Sequence, residues 1–227
     1  MWHGLIAVLV IVGLAIQAVI AVRAPGTPPA NAVGTLAGAP LAGRLLRTVS
    51  FFTIQSNILA AVSSAQLARR PDRDGAVWRI VRLDALLGIT VTGIVYSTVL
   101  ARIHEPEGWE QVSTNTAFHY AVPIMMVLGW LLFGPRPRIE RAVVRWALLW
   151  PVLWFGFTLV HGAVSHWYPY PFVDAASQGY ARVLLNALLV TAVLGAVGLL
   201  YGLGDRTLRR APDPVATRVP QGSIPSR

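Results

Sequence analysis

The chain has no cysteine and no lysine, and only 10 acidic residues among 227. The first absence excludes disulfide frameworks, thiolate metal sites and cysteine nucleophiles. The second leaves arginine to carry all the positive charge of the side chains, 19 residues giving a formal net charge of +9. Charged residues make up 13% of the sequence against roughly 25% for a soluble domain. Hydrophobic residues make up 55%, so a water-soluble fold is not expected. No carboxylate falls near the middle of an apolar run; Asp84 sits between arginines at the start of one and reads as a surface or topogenic residue. That argues against proton pumps and cation antiporters, whose routes use buried acids. Phosphate loops are missing as well, with no GxxxxGK[ST] and no strand to precede one.

What the chain does have is long apolar runs. Six of them, at about 4–22, 48–68, 83–101, 117–134, 142–164 and 182–203, approach the roughly 20 residues that a helix needs to cross a bilayer. The first is too long for a signal-peptide core, lacks a basic amino flank and is followed by Ala24-Pro25, a poor cleavage site. The expected fold is therefore all-α: a bundle of six transmembrane helices over residues 1–204, followed by an Arg/Pro-rich, disordered tail over 205–227. RAPGTPPANAVGTLAGAPLAGR, between the first two runs, reads as a flexible loop.

Arginine placement orients the bundle, because positive charge is retained on the cytoplasmic side. Arg69, Arg70, Arg73, Arg79 and Arg82 flank the second connection, Arg136, Arg138, Arg141 and Arg145 the fourth, and five more follow the last run. The opposite side has few arginines and carries Glu105, Glu107 and Glu110. Both termini are thus expected in the cytoplasm of a multi-pass plasma-membrane protein, and the Arg/Ala/Gly-rich composition suits a GC-rich bacterium. The basic charge reads as a topology signal and not as a nucleic-acid footprint, which would need one exposed basic surface. Trp109, Trp167 and Tyr168 fall at the outer interface. The Trp146, Trp150 and Trp154 stripe reads as packing, and Gly198 and Gly202 as a close-contact pair.

Depth then follows from 1.5 Å of rise per residue. Thr53 lies roughly 9 Å below the outer boundary, His119 roughly 6 Å, and His161 about 24 Å from the inner side. Gln17, Tyr96 and Asn186 belong to the same outer half, whereas the inner stretches IMMVLGWLLF and AVLGAVGLL carry almost no polar group. An outward-facing polar pocket explains the asymmetry, since polar groups in lipid need internal partners. The stretch SFFTIQSNILAAV has two readings. Thr53 and Asn57, four apart, share a helix face and line the pocket; alternatively, they bond to backbone or bridge helices, as such residues do in membranes. His119 stands out because imidazole is rare in membrane helices and takes up a proton near neutral pH.

FFTIQSN, TAFHYAVPIMM and YPYPFVD resemble the prokaryotic six-transmembrane branch of the androgen-induced, androgen-dependent membrane-protein family, over roughly residues 4 to 203. The animal members are integral-membrane hydrolases of fatty-acid esters of hydroxy fatty acids that use a threonine and a histidine. The resemblance implies Thr53 as nucleophile and His119 as general acid/base. YPYPFVD and the Gly-rich first loop differ from the animal pattern, so substrate identity does not transfer.

Hydrolysis of lipid-like esters is the leading expectation, with membrane lipid or a lipid-like ester as partner and no cofactor or metal. Asn57 is expected to hold the oxyanion, with Tyr96, His161 and Asn186 lining the substrate site; Asp174 is the one candidate for an orienting third residue. Competing classes are haem binding through His119 and His161, transport of a lipid or small molecule, and a non-catalytic membrane partner.

Overall fold

The structure, a computed structural model, describes residues 1–26 and 34–208. Its elements are α1 (Trp2–Arg23), α2 (Leu41–Ser50), α3 (Phe52–Arg69), α4 (Ala76–Thr98), α5 (Gly108–Thr116), α6 (Val122–Phe133), α7 (Arg141–Ala147), α8 (Leu149–Ser165), α9 (Ala175–Gln178) and α10 (Tyr180–Thr207). A single π turn, Ala117–Ala121, joins α5 to α6. Five spans are long and apolar enough to cross a membrane, and six if α2 and α3 count as one broken span. The protein is an all-helical, multi-pass membrane protein.

The core lies where α1, α3, α4, α6 and α10 meet, with Ile6, Val10, Leu86, Ile89, Val122 and Leu194 buried together. Outward faces stay apolar: Leu5, Val8, Ile11, Leu185, Leu189 and Leu199 are all exposed, as a lipid-facing surface requires. Burying oil away from oil gains little, so close packing must hold the helices together. Gly198 illustrates this, since a Cβ there would come within 3.1 Å of Val144. The Gly198–Gly202 pair therefore serves contact between α10 and the segment around Ile139 and Val144.

The expected second span, 48–68, is not one helix. The chain breaks at Phe51, whose ψ of 130° is extended, and α2 and α3 meet at 71°. No proline or glycine lies at the break. Its carbonyls are met from elsewhere: Gln55 Nε2 donates to Val49 O (3.0 Å) and Trp154 Nε1 to Ser50 O (2.9 Å). The last four residues of the expected flexible loop, 41–44, open the helix α2, with Arg44 donating to Val22 O and Ala24 O and Arg47 to Ala37 O. Residues 27–33 of that loop lie outside the described residues.

Other expectations change as well. The fourth span begins at Gly108, well before 117, so that His119 sits inside a long helical stretch. Asp84 lies more than two turns into α4 and is buried, not at a surface. Trp167 and Tyr168 are likewise buried: the connection after α8 folds into the mouth of the bundle, where Trp167 Nε1 donates to Thr35 O at 2.7 Å. At the arginine-rich end, α10 runs to Thr207, and Asp205 is buried because its carboxylate accepts the backbone N–H groups of Arg138 and Ile139. The remainder of the expected tail, 209–227, lies outside the described residues.

Candidate active site

The break at Phe51 starts a helix inside the protein. Thr53 is the second residue of α3, so its N–H is one of the first-turn amides with no carbonyl of its own helix to bind. His119 occupies the middle of the π turn. Four residues later comes Pro123, which has no N–H to give the His119 carbonyl, and a proline at that spacing distorts the turn before it. The distorted turn fits tightly against α4: a Cβ on Gly93 would come within 3.1 Å of Pro123 and 3.3 Å of His119 O. Glycine lets the two approach without displacement there. Isolated π turns of this kind recur at functional sites.

These two irregularities bring the side chains together. Thr53 Oγ1 lies 3.4 Å from His119 Nε2, and His119 Nδ1 lies 3.1 Å from the carbonyl oxygen of Asn115. A carbonyl only accepts, so Nδ1 carries the proton and Nε2 of the neutral ring presents its lone pair to the threonine hydroxyl. Tyr96 stacks on the imidazole with centroids 3.9 Å apart and planes at 22°, fixing the ring plane. The Thr–His distance is long for a hydrogen bond, as resting sites often are before substrate draws them together.

Tyr170 completes the cluster, and the sequence reading missed it. Its hydroxyl oxygen accepts the Thr53 N–H at 3.2 Å and lies 3.2 Å from Thr53 Oγ1. With the threonine proton directed to His119, the Tyr170 O–H is left to donate to Oγ1. Every hydrogen in the chain from Thr53 N–H to Asn115 O then has one direction. Burial pushes the Tyr170 hydroxyl above its ordinary pKa, so it stays protonated and remains a donor. The available signal was the Pro169-Tyr170-Pro171 triplet: a residue before proline is held extended, and Tyr170 has φ −140° and ψ 149°.

Thr53, His119, Tyr170 and Asn186 open on one cavity of about 320 Å³, walled beyond them by Thr92, Thr191 and apolar side chains of α3, α4, α8 and α10 such as Phe52, Val95, Trp154 and Leu188. Asn186 holds the mouth connection, donating to Phe172 O at 2.9 Å. The other candidates fall elsewhere. Asn57 is fully buried, outside the cavity wall, and its amide donates to Thr53 O at 2.9 Å, so helix backbone and not an oxyanion takes it. Tyr96 supports His119 from behind. The His161 ring stacks on Phe157 and meets the edge of Trp167, away from the cavity lining, so the two histidines do not face a common space. Asp174 caps α9 through the N–H groups of Ala176 and Ser177 and does not orient His119; the Asn115 carbonyl does. Among the described residues no group of three His, Asp or Glu side chains could hold a metal. Comparison with family profiles, with characterised proteins and with solved structures finds no match to this chain.

Proposed function

We propose that this protein is an integral-membrane hydrolase of lipid-like carboxylic esters, with Thr53 as nucleophile and His119 as general acid and base. One observation carries the reading: a buried threonine hydroxyl faces the unprotonated nitrogen of an imidazole whose tautomer is set by a backbone carbonyl. A hydroxyl is a weak nucleophile until a neighbouring base takes its proton. Resemblance of FFTIQSN and TAFHYAVPIMM to the threonine hydrolases points to the same two residues.

In the proposed cycle Thr53 Oγ1 bonds to the ester carbon as its proton passes to His119 Nε2, and the carbonyl π pair moves to oxygen. Collapse expels the alkoxide, which leaves as the alcohol with the proton from Nε2. Water then attacks the acyl-threonine, gives a proton to Nε2 and releases the acid, while Oγ1 takes that proton back. The mostly apolar wall suits the hydrocarbon part of a substrate. The cavity sits at the end of the bundle poor in arginine, which by charge bias is the outer leaflet of a bacterial plasma membrane, with six spans and both termini cytoplasmic.

Labelling with a fluorophosphonate probe tests the assignment. Wild-type protein should be labelled on Thr53, and Thr53→Ala should not be labelled at all. Equal labelling of a correctly folded Thr53→Ala variant would remove the nucleophile assignment.

A further inference from the structure

An ester hydrolase must hold the negative charge that develops on the carbonyl oxygen, and Asn57 lies fully buried outside the cavity wall. The geometry points to Tyr170 as a third catalytic residue, whose hydroxyl, beside the Thr53 N–H, donates to the oxyanion formed when Thr53 attacks. This rests on the hydrolase reading given above.

Position is the first argument. The Tyr170 hydroxyl is 3.2 Å from the reacting oxygen of Thr53 and accepts its N–H at 3.2 Å, so the group that touches the nucleophile at rest also holds the amide beside it. That amide belongs to the first turn of α3, where N–H groups are unpaired within the helix and the helix end favours negative charge. As Oγ1 bonds to carbon it loses its proton to His119 Nε2, and the electron pair of the carbonyl settles on oxygen. The Tyr170 O–H then turns about its C–O bond from Oγ1 to that oxygen, keeping its own proton throughout, while its oxygen goes on accepting the Thr53 N–H. When the intermediate collapses the pair returns to the carbonyl and the O–H turns back to Oγ1.

Rigidity is the second argument, since a donor stabilises a transition state best when it needs no reorganisation. The Tyr170 ring packs edge-on against Phe51 at 5.5 Å and stacks on Phe172 at 5.2 Å and 5°. Proline on either side fixes its backbone. The third argument is economy of contacts. Trp167 with Thr35 and Asn186 with Phe172 already fasten the mouth connection, so the Tyr170 hydroxyl is not required as a tether.

Full-length protein in detergent, hydrolysing p-nitrophenyl decanoate, tests this with Tyr170→Phe and with 3-fluorotyrosine or 3,5-difluorotyrosine placed at 170. Tyr170→Phe should lower kcat by about 10²–10³, the usual loss for one oxyanion donor, with a thermal midpoint close to wild type. The fluorotyrosines keep the ring and the hydroxyl, so they read out donor strength even if Tyr170→Phe folds poorly; kcat should change in order with phenol acidity. A merely structural hydroxyl would leave kcat indifferent to acidity, and that result overturns the role, as does a folded Tyr170→Phe within about threefold of wild type. Turnover that disappears in Thr53→Ala but survives in Tyr170→Phe defeats only the tyrosine assignment. No Thr53-dependent turnover in wild type defeats both readings together.

Discussion

At the residue scale the site reduces to one threonine hydroxyl and one imidazole nitrogen 3.4 Å apart. If they act as a unit, Thr53→Ala and His119→Ala should each remove nearly all turnover of a long-chain ester, and the double variant should lose little more, because members of one catalytic unit are not additive. Turnover losses that multiply would separate the two residues. Thr53→Ser keeps the hydroxyl while losing the β-branch that restricts χ1, so it should retain a fraction of the activity. Asn57→Ala should behave differently: its amide serves the Thr53 carbonyl, and the variant should lose stability by about 1 kcal/mol while kcat stays within tenfold. Thr53 and His119 were legible in the sequence because a polar side chain in an apolar run is conspicuous and its depth can be counted. Asn57 was misread for a physical reason. A spacing of four fixes the helix face but not the rotamer, and this amide turned back to the preceding carbonyl. Tyr170 could not be reached by counting at all, because its place depends on how a loop folds into the bundle.

At the scale of elements, two irregularities that the hydrophobic pattern conceals do the positioning. Residues 48–68 read as one span because apolar content alone defined it, and Phe51 and Phe52 carry no sign of a break. The break is tertiary. It exists because Gln55 and Trp154 supply the donors that the helix gives up. Gln55→Ala should therefore lower stability by about 1–2 kcal/mol, the scale of side-chain hydrogen bonds within membrane bundles, and weaken fluorophosphonate labelling by loosening the start of α3. An unchanged melting midpoint in detergent would mean the break holds without that bond. The π turn was half legible, since Pro123 announces a distortion one turn earlier but not its form. Gly93 makes it testable. Gly93→Ala places a methyl 3.1 Å from Pro123 and 3.3 Å from His119 O, so the turn must give by a few tenths of an ångström where it carries the imidazole. Labelling should slow by about threefold, since misplacement by a full ångström costs on the order of a hundredfold. Gly195→Ala, where the added methyl meets nothing within 4 Å, should leave it unchanged.

For the whole molecule the question is which side of the membrane the cavity serves. Helix lengths and apolar faces place the chain in a bilayer and do not orient it; charge does. Arg69, Arg70, Arg73, Arg136 and Arg138 crowd the connections at one end, and the cavity with its tyrosine-bearing loop lies at the other, the end whose connection after α4 carries Glu105 and Glu107. Positive charge resists translocation, so the arginine-rich end should remain in the cytoplasm. Absence of cysteine makes the test clean, because each introduced thiol is the sole reporter. Glu105 and Asp72 are both exposed and sit at opposite ends of α4. In intact cells a membrane-impermeant maleimide should modify Glu105→Cys and leave Asp72→Cys untouched until the membrane is opened. The reverse pattern would turn the cavity toward the cytoplasm and make its substrate an inner-leaflet or cytoplasmic ester. The chemistry proposed at Thr53 would be unaffected by that outcome, because the distances to His119 and Tyr170 belong to the bundle and not to its orientation.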